Sequence, residues 1–255
     1  MMKHDFELAD YVTLTRQACA LGRLARACAH DFNNWLSIIH TATDLLDETA
    51  AHCAASADAL AIITEAMDGA EQRNRALLAA TCLDEPNRVP VDVHTLLDTA
   101  AHTLRAELGS NISIELVLEA QRSCVNAAPA ALSEAVLELG RNSARAMPAG
   151  GSLRVSTAEK DFARAAAFDA RAQAQLLAGP FIDIRIADDG CGMSPETLLR
   201  ACEPFYTTRA APPGTAGLGL PRVCAMVCAH GGAIALASQA GSGTELSILL
   251  PVLEL

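Results

Sequence analysis

The chain has 255 residues, 51% of them apolar, and its 19 lysines and arginines against 30 aspartates and glutamates give a formal net charge of −11. This composition excludes a disordered chain, and the length allows one large domain or two small ones with separate cores. The acidic balance repels nucleic-acid backbones and anionic lipid surfaces, so we expect no nucleic-acid partner.

Nine cysteines are scattered along the chain without a CxxC pair. An odd number of cysteines without an export signal is typical of reducing compartments, so we expect free thiols in a cytoplasmic protein. The most apolar stretch, residues 223–237, is interrupted by His230 and two glycines and is shorter than the roughly 20 residues that cross a bilayer. No membrane insertion is therefore expected.

Two long helices are predicted at the N-terminus, at about 8–48 and 56–83, with a turn at 48–55. Apolar residues recur every seven positions in the first helix, at Leu14, Leu21, Cys28, Trp35 and Ala42. This pattern is typical of a helix whose apolar seam packs against other helices. Two antiparallel helices with one stripe each cannot cover both stripes, so we expect a homodimer that completes a four-helix bundle.

A linker is predicted at 84–90, where charged residues and two prolines separate a domain at 1–86 from one at 87–255. Beyond it helices and strands mix. Helices are predicted at 93–108, 129–147 and 221–230, and strands at 112–118, 152–157, 181–187, 233–238 and 244–251. The predicted fold class is α+β: an N-terminal antiparallel helical hairpin, then an α/β sandwich with helices on one face of a mixed sheet. The alanine-rich stretch 158–178 is interpreted as a surface insertion.

The first candidate site is the run Ala-His-Asp-Phe-Asn-Asn at 29–34, inside the first helix. A histidine that attacks a phosphoryl group must be exposed, and a neighbouring carboxylate can orient its ring and accept its second proton. Asp31 is placed to do this for His30. Asn34 lies one helical turn further on the same face, where its amide could orient a water for hydrolysis of a partner's phosphate.

The second and third candidate sites lie in the C-terminal part. Glu138, Asn142 and Arg145 follow at helical spacing and line one helix face, where an amide oxygen suits Mg²⁺. The run Asp-Asp-Gly-Cys-Gly-Met at 188–193 directly follows a predicted strand. Its glycines allow a ligand close to the backbone, and a buried carboxylate at Asp188 can accept a hydrogen bond from an adenine amino group.

A fourth candidate site runs from residue 203 to residue 220. Its second half resembles a glycine-rich turn before a helix, where free N–H groups favour phosphate, and Arg209 could add a cation. Thr244, which opens the final strand, could supply a hydroxyl near a base.

The order and spacing of these motifs resemble the two-component sensor histidine kinases, in the subgroup whose phosphoacceptor motif reads HDFNN. The resemblance covers nearly the whole chain. It implies a Bergerat-type ATP-binding sandwich, with His30 taking the γ-phosphoryl group of ATP and passing it to an aspartate of a response regulator receiver domain. No sensor domain precedes residue 8, so either the chain is a fragment or a separate sensor or upstream partner supplies the input.

The resemblance also assigns nucleotide-binding roles. Asn142 would coordinate Mg²⁺, Asp188 would recognise adenine, and residues 205–217 would form a lid that Pro212 and Pro213 stiffen. The remaining residues expected to bind ATP are Arg145, Gly190, Gly192, Met193, Phe205, Thr208, Arg209, Gly217, Leu218, Gly219, Leu220 and Thr244.

Glu138 is the main departure from the family pattern, which often has an asparagine at this position. Related ATPases place a general base with the same Glu-x-x-x-Asn spacing, so a plain ATPase driven by Glu138 stays open as an alternative. A non-catalytic phosphotransfer or docking protein with a vestigial ATP site is the other alternative. The intact glycines of the ATP motifs disfavour it, since a site that no longer binds nucleotide does not need them.

Overall fold

The computed structural model describes residues 4–50, 54–81, 87–162, 179–208 and 217–253. Several predicted features lie wholly or partly outside these ranges: the centre of the turn between the first two helices, the first part of the linker, most of the insertion, and the lid residues 209–216 with Arg209. The predicted domain boundary after residue 86 also lies outside them and stays a prediction.

The N-terminal hairpin consists of α1 (Leu8–Ala50) and α2 (Ala54–Thr81). Its buried seam includes Ala29 and Leu36 from α1 and Met67 from α2. Asn74 of α2 is also buried and donates to the carbonyl oxygen of Ala29 at 2.7 Å. These contacts hold the phosphoacceptor motif against the second helix.

The seam inside the hairpin lies one residue later than the predicted heptad stripe. Cys28 and Trp35 were expected in the seam, but both are exposed, and the next residues, Ala29 and Leu36, are buried instead. Heptad spacing fixes the repeat but not which of two adjacent apolar columns faces the second helix. Cys28 and Trp35 of the predicted stripe are thus exposed on the hairpin, whereas Leu14 packs against the core of the C-terminal part.

The C-terminal part is the predicted α/β sandwich. Its elements in chain order are β1 (Val89–Asp92), α3 (Val93–Leu108), β2 (Ile112–Leu118), β3 (Cys124–Ala127), α4 (Pro129–Ala146), β4 (Gly151–Phe162), β5 (Gly179–Asp188), α5 (Pro195–Arg200), α6 (Gly219–Ala229), β6 (Ala233–Gln239) and β7 (Gly243–Pro251). The five-stranded sheet has the order β2-β4-β5-β7-β6, and only the β2–β4 pair is parallel. The helices α3, α4 and α6 share one apolar core with this sheet. The predicted fold class is therefore confirmed.

Three short elements were not predicted. β1 and β3 pair with each other as a separate two-stranded sheet, and β1 occupies the end of the predicted linker. α5 is a six-residue helix that begins after the cap residue Ser194. β4 also continues to Phe162, into the stretch interpreted as an insertion, because it pairs along its length with β5.

The start of α1 packs against the sandwich instead of extending the hairpin. Phe6 and Tyr11 are buried on the outer face of the sheet, beside Phe181 and Leu249. Thr15 then accepts the backbone N–H of Ile234 on the edge strand β6, at 2.9 Å. We call residues 4–19 the docking segment. It covers the outer face and the exposed edge of the sheet, where unpaired N–H groups would otherwise face solvent.

A disulfide joins Cys19, at the end of the docking segment, to Cys228 in α6. The expectation that all cysteines are free thiols is therefore wrong for this pair. The two residues are 209 apart in sequence and their Cα atoms lie 6.4 Å apart, which is within the range for a disulfide. Only the packing of α1 on α6 brings them together, so their spacing in the sequence gave no signal.

Within the ranges that the structure describes, no helix combines the length and apolarity that crossing a membrane requires.

Candidate functional site

His30 lies on the exposed side of α1, with 78% of its side chain accessible. Its Nδ1 atom is 3.6 Å from a carboxylate oxygen of Asp31 and 3.5 Å from the amide nitrogen of Asn34. The two contacts are alternatives, since Asn34 can donate only to an unprotonated Nδ1 and Asp31 can accept only from a protonated one. When Nδ1 carries its proton toward Asp31, the lone pair of Nε2 points away from the helix and is free to react.

Asn33 fixes the phosphoacceptor motif to α2. Its side-chain oxygen accepts a hydrogen bond from the buried Asn74 amide at 2.6 Å, and the same amide holds the carbonyl of Ala29. The residues on both sides of His30 and Asp31 are thus tied down while the histidine ring stays accessible. No sequence pattern pointed to Asn74, since it lies 41 residues from Asn33 on another helix.

Glu138, Asn142 and Arg145 lie on one face of α4, as their spacing predicted. Arg145 donates to the side-chain oxygen of Asn142 at 2.9 Å and lies 3.6 Å from a carboxylate oxygen of Glu138. The guanidinium therefore holds the amide and the carboxylate together. A Cβ added to Gly219 at the start of α6 would meet the Glu138 carboxylate, so a side chain there would displace this carboxylate.

Asp188 is buried at the end of β5, and its carboxylate accepts hydrogen bonds from its own loop and from two neighbouring elements. Its Oδ1 atom accepts from the backbone N–H groups of Gly190 and Thr244, at 3.0 and 3.2 Å, and its Oδ2 atom accepts from the hydroxyl of Ser143 at 2.8 Å. Burial raises the pKa of Asp188 above its ordinary value, and these hydrogen bonds partly oppose that shift. Ser143 was not predicted, although it follows Asn142 directly and points to the opposite side of the same helix.

The remaining residues of the third motif line the turn between β6 and β7. The N–H of Met193 donates to the hydroxyl of Ser238 at 2.9 Å, and Ser238 is 2.9 Å from the hydroxyl of Thr244. Gly192 lies against the backbone of Gln239 in the same turn. The hydroxyls of Ser238 and Thr244 form a polar surface beside Asp188. Of these two residues, only Thr244 was predicted from the sequence.

Phe205 and Gly217 are the two end residues of the predicted lid, and they contact each other. The N–H of Phe205 donates to the carbonyl of Gly217 at 2.9 Å, and both residues have positive φ angles, 65° and 73°. A side chain at position 217 would clash with the backbone of Phe205, so this crossing requires glycine. Thr208 is exposed nearby in sequence, and Arg209 lies outside the described residues.

The side chains of the two leucines in the glycine-rich turn, Leu218 and Leu220, point toward the apolar core. Leu218 is buried and Leu220 is packed against the central apolar cluster, so only their backbone faces the turn. Their N–H groups belong to the first turn of α6, which begins at Gly219. This is the end of a helix that favours anions.

The structure thus brings most of the predicted nucleotide-binding residues into one region. Asn142 lies in α4, Asp188 at the end of β5 and Gly219 at the start of α6. Ser143, next to Asn142, donates to Asp188, and Glu138 of α4 lies against Gly219. His30 is not part of this region. Within the described ranges, its hydrogen bond and ion pair are with residues of its own helix.

Comparison with known proteins defines the class of protein to which this site belongs. Residues 127–254 match the family described as histidine kinase-, DNA gyrase B- and HSP90-like ATPases, and the chain belongs to that family. Within the family its relatives are sensor histidine kinases. It is 28% identical to the sensor kinase CckA of Brucella abortus over 244 residues, covering 96% of this chain and 25% of that protein. It is also 28% identical to the sensor histidine kinase ZraS of Escherichia coli over 250 residues, covering 96% of this chain and 48% of that protein.

Solved structures share the fold. The full-length ShkA structure in complex with AMPPNP matches 91% of this chain and 46% of its own, with a TM-score of 0.54 and 21% identity. The mycobacterial sensor histidine kinase MprB matches 66% of this chain and 99% of its own, with a TM-score of 0.51 and 24% identity. The chain thus spans between a quarter and a half of the two curated relatives named above.

Proposed function

We propose that the chain is a protein-histidine kinase that transfers the γ-phosphoryl group of ATP to His30 and then to an aspartate of a response regulator receiver domain. The observation that carries this proposal is the pairing of two sites in one chain. One is the region around Asp188, Asn142 and Gly219, whose parts suit the base and the phosphates of a nucleotide. The other is an exposed histidine with a carboxylate and an amide at the same ring nitrogen.

Asp188 recognises the adenine base in this proposal. Its carboxylate is buried and held in place by Ser143, Gly190 and Thr244, so it needs no rearrangement to accept the adenine amino group. Hydrogen bonds to a charged acceptor are stronger than neutral ones, and burial shields them from water. The hydroxyls of Ser238 and Thr244 lie beside it.

The phosphates occupy the region between α4 and the start of α6. The N–H groups of Leu218 and Gly219 face the phosphates, and Arg145 moves from Asn142 to the phosphate oxygens. The donor set fits Mg²⁺, because the Asn142 amide oxygen and the Glu138 carboxylate lie on one face of α4 and are hard oxygen ligands. Bound Mg²⁺ would neutralise charge on the β- and γ-phosphates.

His30 attacks through Nε2. Asp31 holds the proton on Nδ1 and stabilises the positive charge that develops on the ring as the new N–P bond forms. In the reverse sense, Asn34 orients a water toward the phosphorylated aspartate of the regulator, which gives a phosphatase activity. The enzyme's own contribution is mostly positioning and charge neutralisation.

A second copy of the chain completes the hairpin in this proposal. The exposed large apolar residues of α1 include Leu24, Trp35 and Ile38, with 61 to 67% of each accessible. A contiguous apolar face of this kind is typical of an oligomer interface. The resulting four-helix bundle would present two copies of His30 to receiver domains, while an upstream partner supplies the signal.

An ATPase that transfers the phosphoryl group to water is the second candidate. It is favoured by the position of Glu138, whose carboxylate abuts Gly219 at the phosphate end of the site. A carboxylate at this position could take a proton from an attacking water, and Arg145 lies 3.6 Å from it.

One labelling experiment separates these functions. The full chain is incubated with γ-labelled ATP and Mg²⁺, and protein label is tested for acid lability and base stability. We expect this label on wild type and on His40→Ala, an exposed histidine of the same helix, but not on His30→Ala. Full labelling of His30→Ala would exclude the kinase proposal, and free phosphate released equally by wild type and His30→Ala, without protein label, would support the ATPase.

A further inference from the structure

Four cysteines meet at α6. Cys228 is bonded to Cys19 of α1, and one turn earlier on α6 the buried Cys224 has its sulfur 3.3 Å from that of Cys202. The bonded pair is partly exposed, while the thiol pair is buried. The disulfide is therefore the member of this cluster that a reductant in solution can reach.

The disulfide connects the two helices that carry the proposed chemistry. Cys19 lies about three helical turns before His30 on α1, and Cys228 lies about two and a half turns after Gly219 on α6. A covalent bond between Cys19 and Cys228 fixes the position of the ATP-binding sandwich along α1. While this disulfide is intact, any movement of the nucleotide site relative to His30 is restricted to rotation about the bond.

Non-covalent contacts of the docking segment hold the same arrangement. The Tyr11 hydroxyl is 2.7 Å from that of Ser247, which donates in turn to the buried carboxylate of Asp183. Lys160 donates to the carbonyl of Phe6 at 2.8 Å. The docked position is thus a packed and hydrogen-bonded state that the disulfide makes permanent.

In the docked arrangement, no hydrogen bond or ion pair joins His30 to the sandwich within the residues that the structure describes. His30 keeps 78% of its side chain exposed and contacts Asp31 and Asn34 of its own helix. Reaction requires the attacking nitrogen within about 3–3.5 Å of the phosphorus. Transfer to the histidine of the same chain therefore requires the sandwich to leave this position.

We propose that the Cys19–Cys228 disulfide is a redox lock that holds the ATP-binding sandwich on the docking segment, and that reduction by a dithiol releases it for transfer to His30. A thiolate of the dithiol attacks one sulfur of the bridge and forms a mixed disulfide. Its second thiolate then displaces the protein sulfur. Cys19 and Cys228 gain two electrons and two protons, and the dithiol leaves as a disulfide. The consequence for His30 rests on the proposed kinase function, whereas the lock itself does not.

The neighbouring thiols do not scramble the bridge. The hydrogen bond to Cys202, together with burial, raises the pKa of Cys224 well above its ordinary value. A protonated thiol is a poor nucleophile, so Cys224 does not attack Cys228 one turn away. The lock can therefore open and close between the same two cysteines.

The test uses the full chain in oxidised form and after reduction with dithiothreitol. Peptide mass spectrometry maps the bridge, hydrogen exchange follows residues 4–19, and γ-labelled ATP measures the rate of His30 labelling. Reduction is expected to accelerate exchange in residues 4–19 and to raise the labelling rate roughly tenfold. Cys19→Ser and Cys228→Ser should behave as reduced protein under both conditions, and the free cysteine variant Cys124→Ser should respond as wild type.

The outcomes separate the lock from the kinase. An oxidised chain in which Cys19 and Cys228 are not bonded to each other would overturn the lock. So would a bonded chain whose exchange and labelling equal those of the reduced form. If neither form labels His30 but exchange in residues 4–19 still depends on the bridge, the lock stands and the kinase proposal fails.

Discussion

Asp188 is the residue whose local chemistry is most specific. Its carboxylate is buried, its pKa is raised mainly by that burial, and three hydrogen bonds from Ser143, Gly190 and Thr244 keep it in one orientation. The folded protein without ligand therefore carries a charge that is costly to bury. In the proposed function, this carboxylate accepts a hydrogen bond from the adenine amino group.

Substitution of Asp188 by Asn is expected to separate affinity from stability. The amide keeps the shape and can still accept from Gly190 and Thr244, but it removes the buried charge. ATP affinity should fall roughly tenfold or more, since a hydrogen bond to a charged group contributes about 1.5–3 kcal/mol. The melting temperature of the ligand-free protein should not fall. Titration with ATP and thermal unfolding measure the two effects.

The matched control is Asp189→Asn, which changes an exposed carboxylate next in sequence. It should leave ATP affinity near that of wild type. Unchanged affinity in Asp188→Asn itself would contradict the assigned role.

The polar residues of the site differ in how far the sequence revealed them. Asp188, Asn142 and Gly219 belong to contiguous motifs, so their neighbours in the chain identify them. Ser238 comes from a different strand, 50 residues after Asp188, and no motif includes it. Its role follows from the pairing of β6 with β7, which places it opposite Thr244.

Among the elements, the C-terminal end of α6 is connected to the start of α4 by His230. The Nε2 atom of His230 accepts the N–H of Ala128 at 2.9 Å, and its Nδ1 atom lies 2.7 Å from the carbonyl of Met226. This pattern requires a neutral ring with its proton on Nδ1. Burial, together with nearby Arg88, lowers the pKa of His230. The ring ties the end of α6 to the start of α4.

Acidification should therefore destabilise the fold through His230. Because its pKa is lower in the folded state, the unfolded chain binds a proton more readily as the pH falls below about 6.5. The free energy of unfolding then decreases between pH 7 and pH 5. Chemical denaturation across this range should show a weaker dependence for His230→Gln, whose amide can reproduce both hydrogen bonds. An equal dependence in His230→Gln and in the exposed-site control His40→Gln would contradict this.

Long periodic elements were predictable and short ones were not. The spans expected for α3, β2, α4, β6 and β7 agree with the structure to within about two residues. β1 and β3 have four residues each, too few for periodicity to register. β1 also begins beside Pro90, and proline normally counts against a strand. Their pairing with each other and the burial of Val91 and Val125 in the core are long-range contacts that no local pattern shows.

At the scale of the whole molecule, the hairpin presents an apolar face that a second copy would cover. Ile38→Glu changes a side chain that is 67% exposed in the single chain, so the fold should be retained. Burying a charge in the bundle costs several kcal/mol, and the dimer should dissociate. Sedimentation analysis should show a dimer for wild type and a monomer for Ile38→Glu.

Leu199→Glu provides the control, since it adds the same charge to an exposed leucine of α5 outside the hairpin. It should sediment as wild type does. A monomeric wild type would contradict the expected bundle.

Contacts between distant parts of the chain are what the sequence could not reveal. Tyr11 meets Ser247 across 236 residues, and Cys19 meets Cys228 across 209. Neither pair has a spacing or motif that distinguishes it from other tyrosines, serines or cysteines. The two predicted domains each followed from local patterns, but the docking of one on the other did not.

The docking segment also bears on how the protein can be divided in the laboratory. A fragment that starts at residue 87 keeps the entire nucleotide site but loses the helix that covers Phe181, Leu249 and the carboxylate of Asp183. Its sheet would expose the apolar outer face and the unpaired edge of β6, and both promote aggregation. The smallest well-behaved recombinant piece with an ATP site therefore includes the first helix.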